Sequence, residues 1–383
     1  MAYAGRMENR SGKCGAGWRR IALLVAASVL AGGAGVAWLV ARRPVFPGER
    51  WERKAPERAG FSAEKLAAFS DQAGGAGCLV HGGRMIHEWG DTSFRNDVAS
   101  SSKPIYAFLI FKAIEEGRIG SLDDRVVKWA PELAELNPEL GSTEREITFR
   151  HLLSQTSGYG LEEDTGEAFA YNDYATGLLV WTLFYRVYGL PPAQYDELLN
   201  GDRLGGALGF EDRPTAVHPN SPRGRIRISV RDMARFALLY QRGGVWRGRP
   251  VLREDLFREA LSDPLPLDFP RTAGEEVAHM AEVKSIGGGK DQKNHLGCLG
   301  YFWWFNRITP DGTRLLPDAP PGTFMGAGYG GRFAMVVMPE LDLIAIWLDV
   351  RKGEDWAPLC GTGRFKVNEM IRELLQARLA SPP

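Results

Sequence analysis

The stretch Val98–Ile114 reads VASSSKPIYAFLIFKAI. Three serines run into a lysine, a proline and then an almost unbroken apolar segment. Proline is tolerated only in the first turn of a helix, so Pro104 places a helix start here. The run Ile105–Ile114 is apolar nearly all round, as a helix buried in a domain interior must be. Residues i and i+3 share a helical face, so Ser100 meets Lys103, while Ser101 and Ser102 do not face the lysine in that way. A lysine at the head of a buried helix is itself half-buried. Burial disfavours its charged form, so the setting predicts an ammonium that loses its proton easily and helps to take the serine proton. The N–H groups of the helix start favour negative charge developing on whatever the serine attacks. The spacing alone does not choose a nucleophile, because Ser62-Ala63-Glu64-Lys65 repeats it. That copy opens an amphipathic surface helix and reads as an N-cap with solvated charges.

The bulk numbers bound the setting. The chain has 383 residues with 47 Lys+Arg against 47 Asp+Glu, so no net field recruits nucleic acid. Cys14, Cys78, Cys298 and Cys360 form no CxxC pair, and no H-E-x-x-H occurs, so neither a structural nor a catalytic metal is expected. Ile21–Ala41 carries no charge and is long enough to span a bilayer. Arg6, Arg10, Lys13, Arg19 and Arg20 precede it against one acid, Glu8. The positive-inside rule then puts residues 1–20 in the cytoplasm, 21–41 in a bacterial inner membrane and the bulk in the periplasm. Arg42 and Arg43 weaken the contrast, and a cleaved signal peptide is the rival reading.

Along the rest of the chain, 42–58 is Pro- and charge-rich and reads as a linker. Phe61–Gln72 is patterned as a short helix and Gly77–Trp89 as a hairpin around Gly82-Gly83. Asp123–Leu133, Ile147–Leu153 and Arg231–Arg242 read as helices. Gly300–Ile308, Arg332–Met338 and Leu341–Val350 are strand-like, and Lys366–Leu379 is a closing amphipathic helix. Strands at both chain ends with helices between them predict an α+β fold over 59–383. An antiparallel sheet with flanking helices would come from 59–103 and 290–383, with a mainly helical insertion over 104–289.

Two further stretches carry chemistry: Ile147–Gly160 (ITFRHLLSQTSGYG) and Ala168–Leu178 (AFAYNDYATGL). With the Ser-x-x-Lys helix, GRIRISVRDMARF and GAGYGGRFAMVVMPELDL, they resemble the serine β-lactamase and penicillin-binding-protein-like superfamily, in its class C-like branch. That branch includes β-lactamases, D-peptidases, carboxylesterases and aminohexanoate-type amide hydrolases. The likeness covers about Ala55 to the end, and HLLSQTSG is its most specific segment. It implies a β-lactamase/transpeptidase-like fold with Ser100 as acylated nucleophile, Lys103 as its proton partner and Tyr171 as general base and then acid. It also implies an oxyanion hole from the N–H groups of Ser100 and Tyr329, substrate-binding positions at Asp173 and Gly328, and no cofactor. A tyrosine beside an ammonium has an accessible phenolate, which makes that role coherent.

Two departures narrow the expectation. Asp173 stands where the family often has Asn, as in the aminohexanoate-hydrolase-like subgroup. The third motif, usually Lys-Thr-Gly or His-x-Gly, is here Gly326-Ala327-Gly328. That cation helps to hold a substrate carboxylate, so its loss points to a small ester or uncharged amide rather than to a β-lactam. GAGYGG formally matches a dinucleotide fingerprint, but it precedes a strand instead of opening a helix. No G-x-S-x-G is present. His151 reads as a packed structural residue. Among Tyr301, Phe302, Trp303, Trp304 and Phe305, spacing does not say which lines the pocket.

Overall fold

Leu343–Leu348 (LIAIWL) sends Leu343, Ala345 and Trp347 to one face and Ile344, Ile346 and Leu348 to the other, and all six are buried. A strand apolar on both faces has to be covered on both. The computed structural model describes residues 44–216, 225–262, 265–283, 293–350 and 366–380. It shows one antiparallel sheet of seven strands: β1 (Ala76–His81), β2 (Arg84–Trp89), β3 (Leu299–Gly300), β4 (Trp303–Phe305), β5 (Phe324–Gly328), β6 (Phe333–Met338) and β7 (Leu343–Leu348). Their spatial order is β2-β1-β7-β6-β5-β4-β3, so the first hairpin completes a sheet begun by the last strands. The register runs from Ala76 opposite Leu348 to His81 opposite Leu343.

Helices α1 (Ala63–Ala73) and α6 (Val367–Gln376) cover one face, placing Leu66, Phe69, Ile371 and Leu374 on Leu79, Ala345 and Trp347. Ser62 caps α1, its Oγ accepting the Lys65 N–H at 3.3 Å. The other face is covered by α2 (Lys103–Glu115) and α5 (Val230–Gln241), whose Phe108 and Phe236 rings meet edge-on at 5.8 Å. Between them in sequence lie α3 (Phe149–Ser154) and α4 (Asp173–Trp181). The described residues from Val45 onward form one compact unit, and a single apolar cluster joins the helical insertion to the sheet.

Several expectations change. The helix read over Asp123–Leu133 is two 3₁₀ turns, Val126–Lys128 and Pro131–Glu135. Pro131 forces Ala130 out of the helical region, to φ −122 and ψ 71. The single strand expected over Gly300–Ile308 is a tight hairpin, β3–β4, turning at Tyr301 and Phe302 with φ of 43 and 71. The stretch read as a linker is docked from Val45 onward. Phe46 meets Trp246 edge-on, Trp51 is buried, and Lys54 N–H donates to the Met85 carbonyl of β2. Arg235, wholly buried, donates to the carbonyls of Gly48 and Glu49 and to Glu211 Oε1. The anchor expected over 21–41 lies outside the described residues, among which no helix is long and apolar enough to cross a membrane. Cys78 and Cys298 are buried free thiols, while Cys14 and Cys360 lie outside the described residues.

Candidate active site

The three serines of SSSK do three different things. Ala99–Ser102 is a 3₁₀ turn leading into α2, a tighter entry than the α-helix expected, and in a 3₁₀ turn residues i and i+3 eclipse. Ser100 accordingly receives a hydrogen bond from Lys103 Nζ at 3.1 Å. Ser101 turns the other way, and its Oγ donates to the carbonyls of Gly326 (3.0 Å) and Phe333 (2.9 Å), tying the turn to β5 and β6. Ser102 Oγ donates back to Ala99 O at 2.7 Å, closing the turn.

Lys103 is buried, yet its proton is held and not loosened. Burial pulls its pKa down, but the charge of Asp173 and the Tyr171 phenol outweigh burial and raise it above the ordinary lysine value. Lys103 Nζ lies 2.9 Å from Asp173 Oδ1 and 4.3 Å from the centre of the Tyr171 ring. The easily lost proton expected from burial alone is therefore corrected, because a counterion enters the same pocket. Asp173, expected against substrate, lies on the lysine.

Tyr171 sits in the turn before α4, largely buried, with its ring stacked on Trp304 at 6.2 Å and 28°. Trp304 is thus the aromatic of the Tyr301–Phe305 run that reaches this cluster. Asn172 caps α4 through Oδ1, which accepts the Ala175 N–H at 3.1 Å, and its Nδ2 donates to Tyr159 O at 2.8 Å. His151 closes a capping box at the start of α3, Thr148 N–H donating to its Nδ1 at 3.3 Å. Burial holds its pKa below the usual imidazole range, consistent with a neutral structural role.

The glycines of β5 explain the missing cation. A Cβ on Gly326 would come within 2.9 Å of Pro104 Cγ, so a lysine or histidine cannot stand there unless Pro104 moves. A Cβ on Gly328 would meet Val98 O at 2.7 Å and the Ser100 and Ser101 nitrogens at 2.9–3.0 Å. The strand is pressed against the serine turn. The next residue, Tyr329, has φ 48 and a half-exposed side chain. The nearby Arg332 guanidinium lies 6.0 Å from that ring and is ion-paired to Asp349. Ser100, Lys103, Tyr171 and Asp173 thus form one cluster, with Gly328 and Tyr329 at its rim. Ser62 and Lys65 lie elsewhere, on α1. Among the described residues no group of His, Cys, Asp and Glu could hold a metal ion.

A sequence model of the beta-lactamase family matches residues 63–355. The chain belongs to the beta-lactamase family. No curated protein matches it in sequence. Solved structures share the fold of this family member at low identity. A putative 6-aminohexanoate-dimer hydrolase from Bacillus anthracis is 15% identical, with TM-score 0.56 over 89% of this chain and 90% of that one. A penicillin-binding protein homologue from Caulobacter crescentus is 14% identical, with TM-score 0.55 over 84% and 98%. A putative beta-lactamase from Bacteroides dorei is 16% identical, with TM-score 0.54 over 82% and 97%. The family is one of beta-lactamase-fold serine hydrolases, as the sequence motifs imply.

Proposed function

We propose that this chain hydrolyses an uncharged small ester or amide through an acyl-enzyme on Ser100. The observation that carries this reading is the position of Lys103 Nζ, which touches Ser100 Oγ and Asp173 and lies over Tyr171. A protonated lysine cannot accept the serine proton. That role falls to Tyr171, over whose ring the ammonium lies. Ser100 Oγ attacks the carbonyl carbon as its proton passes to Tyr171. The oxyanion rests on the N–H groups of Ser100 and Tyr329, of the kind that contributes roughly 3–4 kcal/mol in other hydrolases. Tyr171 then protonates the leaving alcohol or amine. Water resolves the ester by the reverse proton path. Asp173 acts as counterion to Lys103.

The uncharged substrate is favoured by Gly326, where a cationic side chain would crowd Pro104, and by Arg332, which is already paired with Asp349. The alternative, a β-lactam or a D-peptide, is favoured by the names of the structural relatives. A catalytically silent relative is the third reading. Labelling with a fluorophosphonate decides first. The unmodified protein and Ser62→Ala should label and Ser100→Ala should not; equal labelling of all three, or none, rejects the nucleophile. Turnover of p-nitrophenyl esters without penicillin acylation then separates the first two readings. The uncharged run 21–41 supports a membrane anchor with the hydrolase body outside the cytoplasm. In cells the labelled band should therefore sediment with membranes, and recovery in the soluble fraction alone rejects the anchor.

A further inference from the structure

The segment His151–Gly158 (HLLSQTSG) ends α3 at Gln155, which has φ 59 and is 1% exposed. A helix that only had to stop here would do so most easily with glycine, which takes this conformation without strain. Glutamine in the left-handed region costs roughly 1 kcal/mol. What offsets that cost is visible in its hydrogen bonds. The Gln155 carbonyl accepts Ala170 N–H at 3.0 Å, and its side-chain Oε1 accepts Asn172 N–H at 2.7 Å. Its Nε2 donates back to Leu152 O at 3.2 Å, which fixes the direction of the side-chain carbonyl. Ala170 and Asn172 are the two neighbours of Tyr171. One residue therefore grips the backbone on both sides of the tyrosine and fastens it to the end of a buried helix.

We propose that Gln155 is the positioning residue for Tyr171, setting the height of its phenol over Lys103 and Ser100. It acts through the backbone and touches no reacting atom. Trp304 and the Lys103 ammonium hold the ring, but neither fixes the loop that carries it. The proposal rests on the reading of Tyr171 as proton carrier.

Gln155→Gly and Gln155→Asn test it, since both residues accept a positive φ and neither side chain reaches Asn172. The measurement is single-turnover acylation by a p-nitrophenyl ester, counted per labelled Ser100. Both variants should acylate about 100-fold more slowly, the size of a misplaced general base, with KM changed less than about 3-fold. Gln155→Glu keeps the acceptor for Asn172 but not the donor to Leu152 O, and should acylate faster than Gln155→Asn though more slowly than the unmodified protein. A purely structural role gives the reverse: a lower Tm, with rate per labelled site unmoved, and that result overturns the proposal. Should Tyr171→Phe acylate as fast as the unmodified protein, the reading of Tyr171 falls. If Tyr171→Phe is slow while both Gln155 variants are normal, only the positioning role falls.

Discussion

Lys103 keeps its proton because a carboxylate 70 positions further along the chain shares its pocket. Breaking one side of such a buried pair strands the other charge, which costs roughly 3 kcal/mol. Asp173→Asn should therefore lower the urea midpoint at pH 7, and unchanged midpoints would show that the pair contributes nothing. The sign with pH follows from the raised lysine pKa. Its stabilisation is fully present below the ordinary lysine value of 10.5 and is lost as pH climbs through the higher folded value. The stability gap between the two proteins should thus persist across neutral pH and narrow in strong alkali. At this scale the sequence was legible in part. Spacing pairs Ser100 with Lys103, because i and i+3 meet in any helical turn. The protonation state was hidden, because it depends on a partner set by tertiary structure. Trp304 was hidden for the same reason, since five consecutive aromatics look alike until the β3–β4 turn separates them.

The element that decides the shape of the site is β5. Its glycines let backbone meet backbone, and Ser101 fastens the contact with two carbonyls. Gly328→Ala places a methyl group against Val98 O and should cost about 1–3 kcal/mol by overpacking. Because the displaced atoms belong to the Ser100 turn, fluorophosphonate labelling should slow as well; normal labelling at reduced stability would separate the strand contact from the chemistry. Ser62→Ala makes the contrast: about 1 kcal/mol lost from a cap and no effect on labelling. Elements with a clear pattern, the amphipathic periodicity of α5 or the unbroken apolar run of β7, were readable. Asp123–Leu133 was not, since one proline outweighed its apolar pattern.

Across the molecule, the meeting of the two chain ends in one sheet was legible from strand-like apolar runs at both ends. The docking of 45–54 was not, because it rests on single anchors, Trp51 and the carbonyls held by Arg235, without periodicity. A chain beginning at Ala55 loses both, and should be less stable than one beginning at Val45 by roughly 3–5 kcal/mol. Equal melting temperatures would show the segment to be dispensable. The anchors also have a place in the sheet. Val45 abuts Gly83, at the end of the strands where His81, Leu343 and Met338 pair. Ser100 adjoins Gly328, which pairs with Phe333 at the other end. Six residues of strand separate them, about 17 Å. A body immobilised on a bead or sensor chip through residue 45 would thus present Ser100 to the flowing solution, whereas coupling through the β5–β6 turn would turn Ser100 against the support.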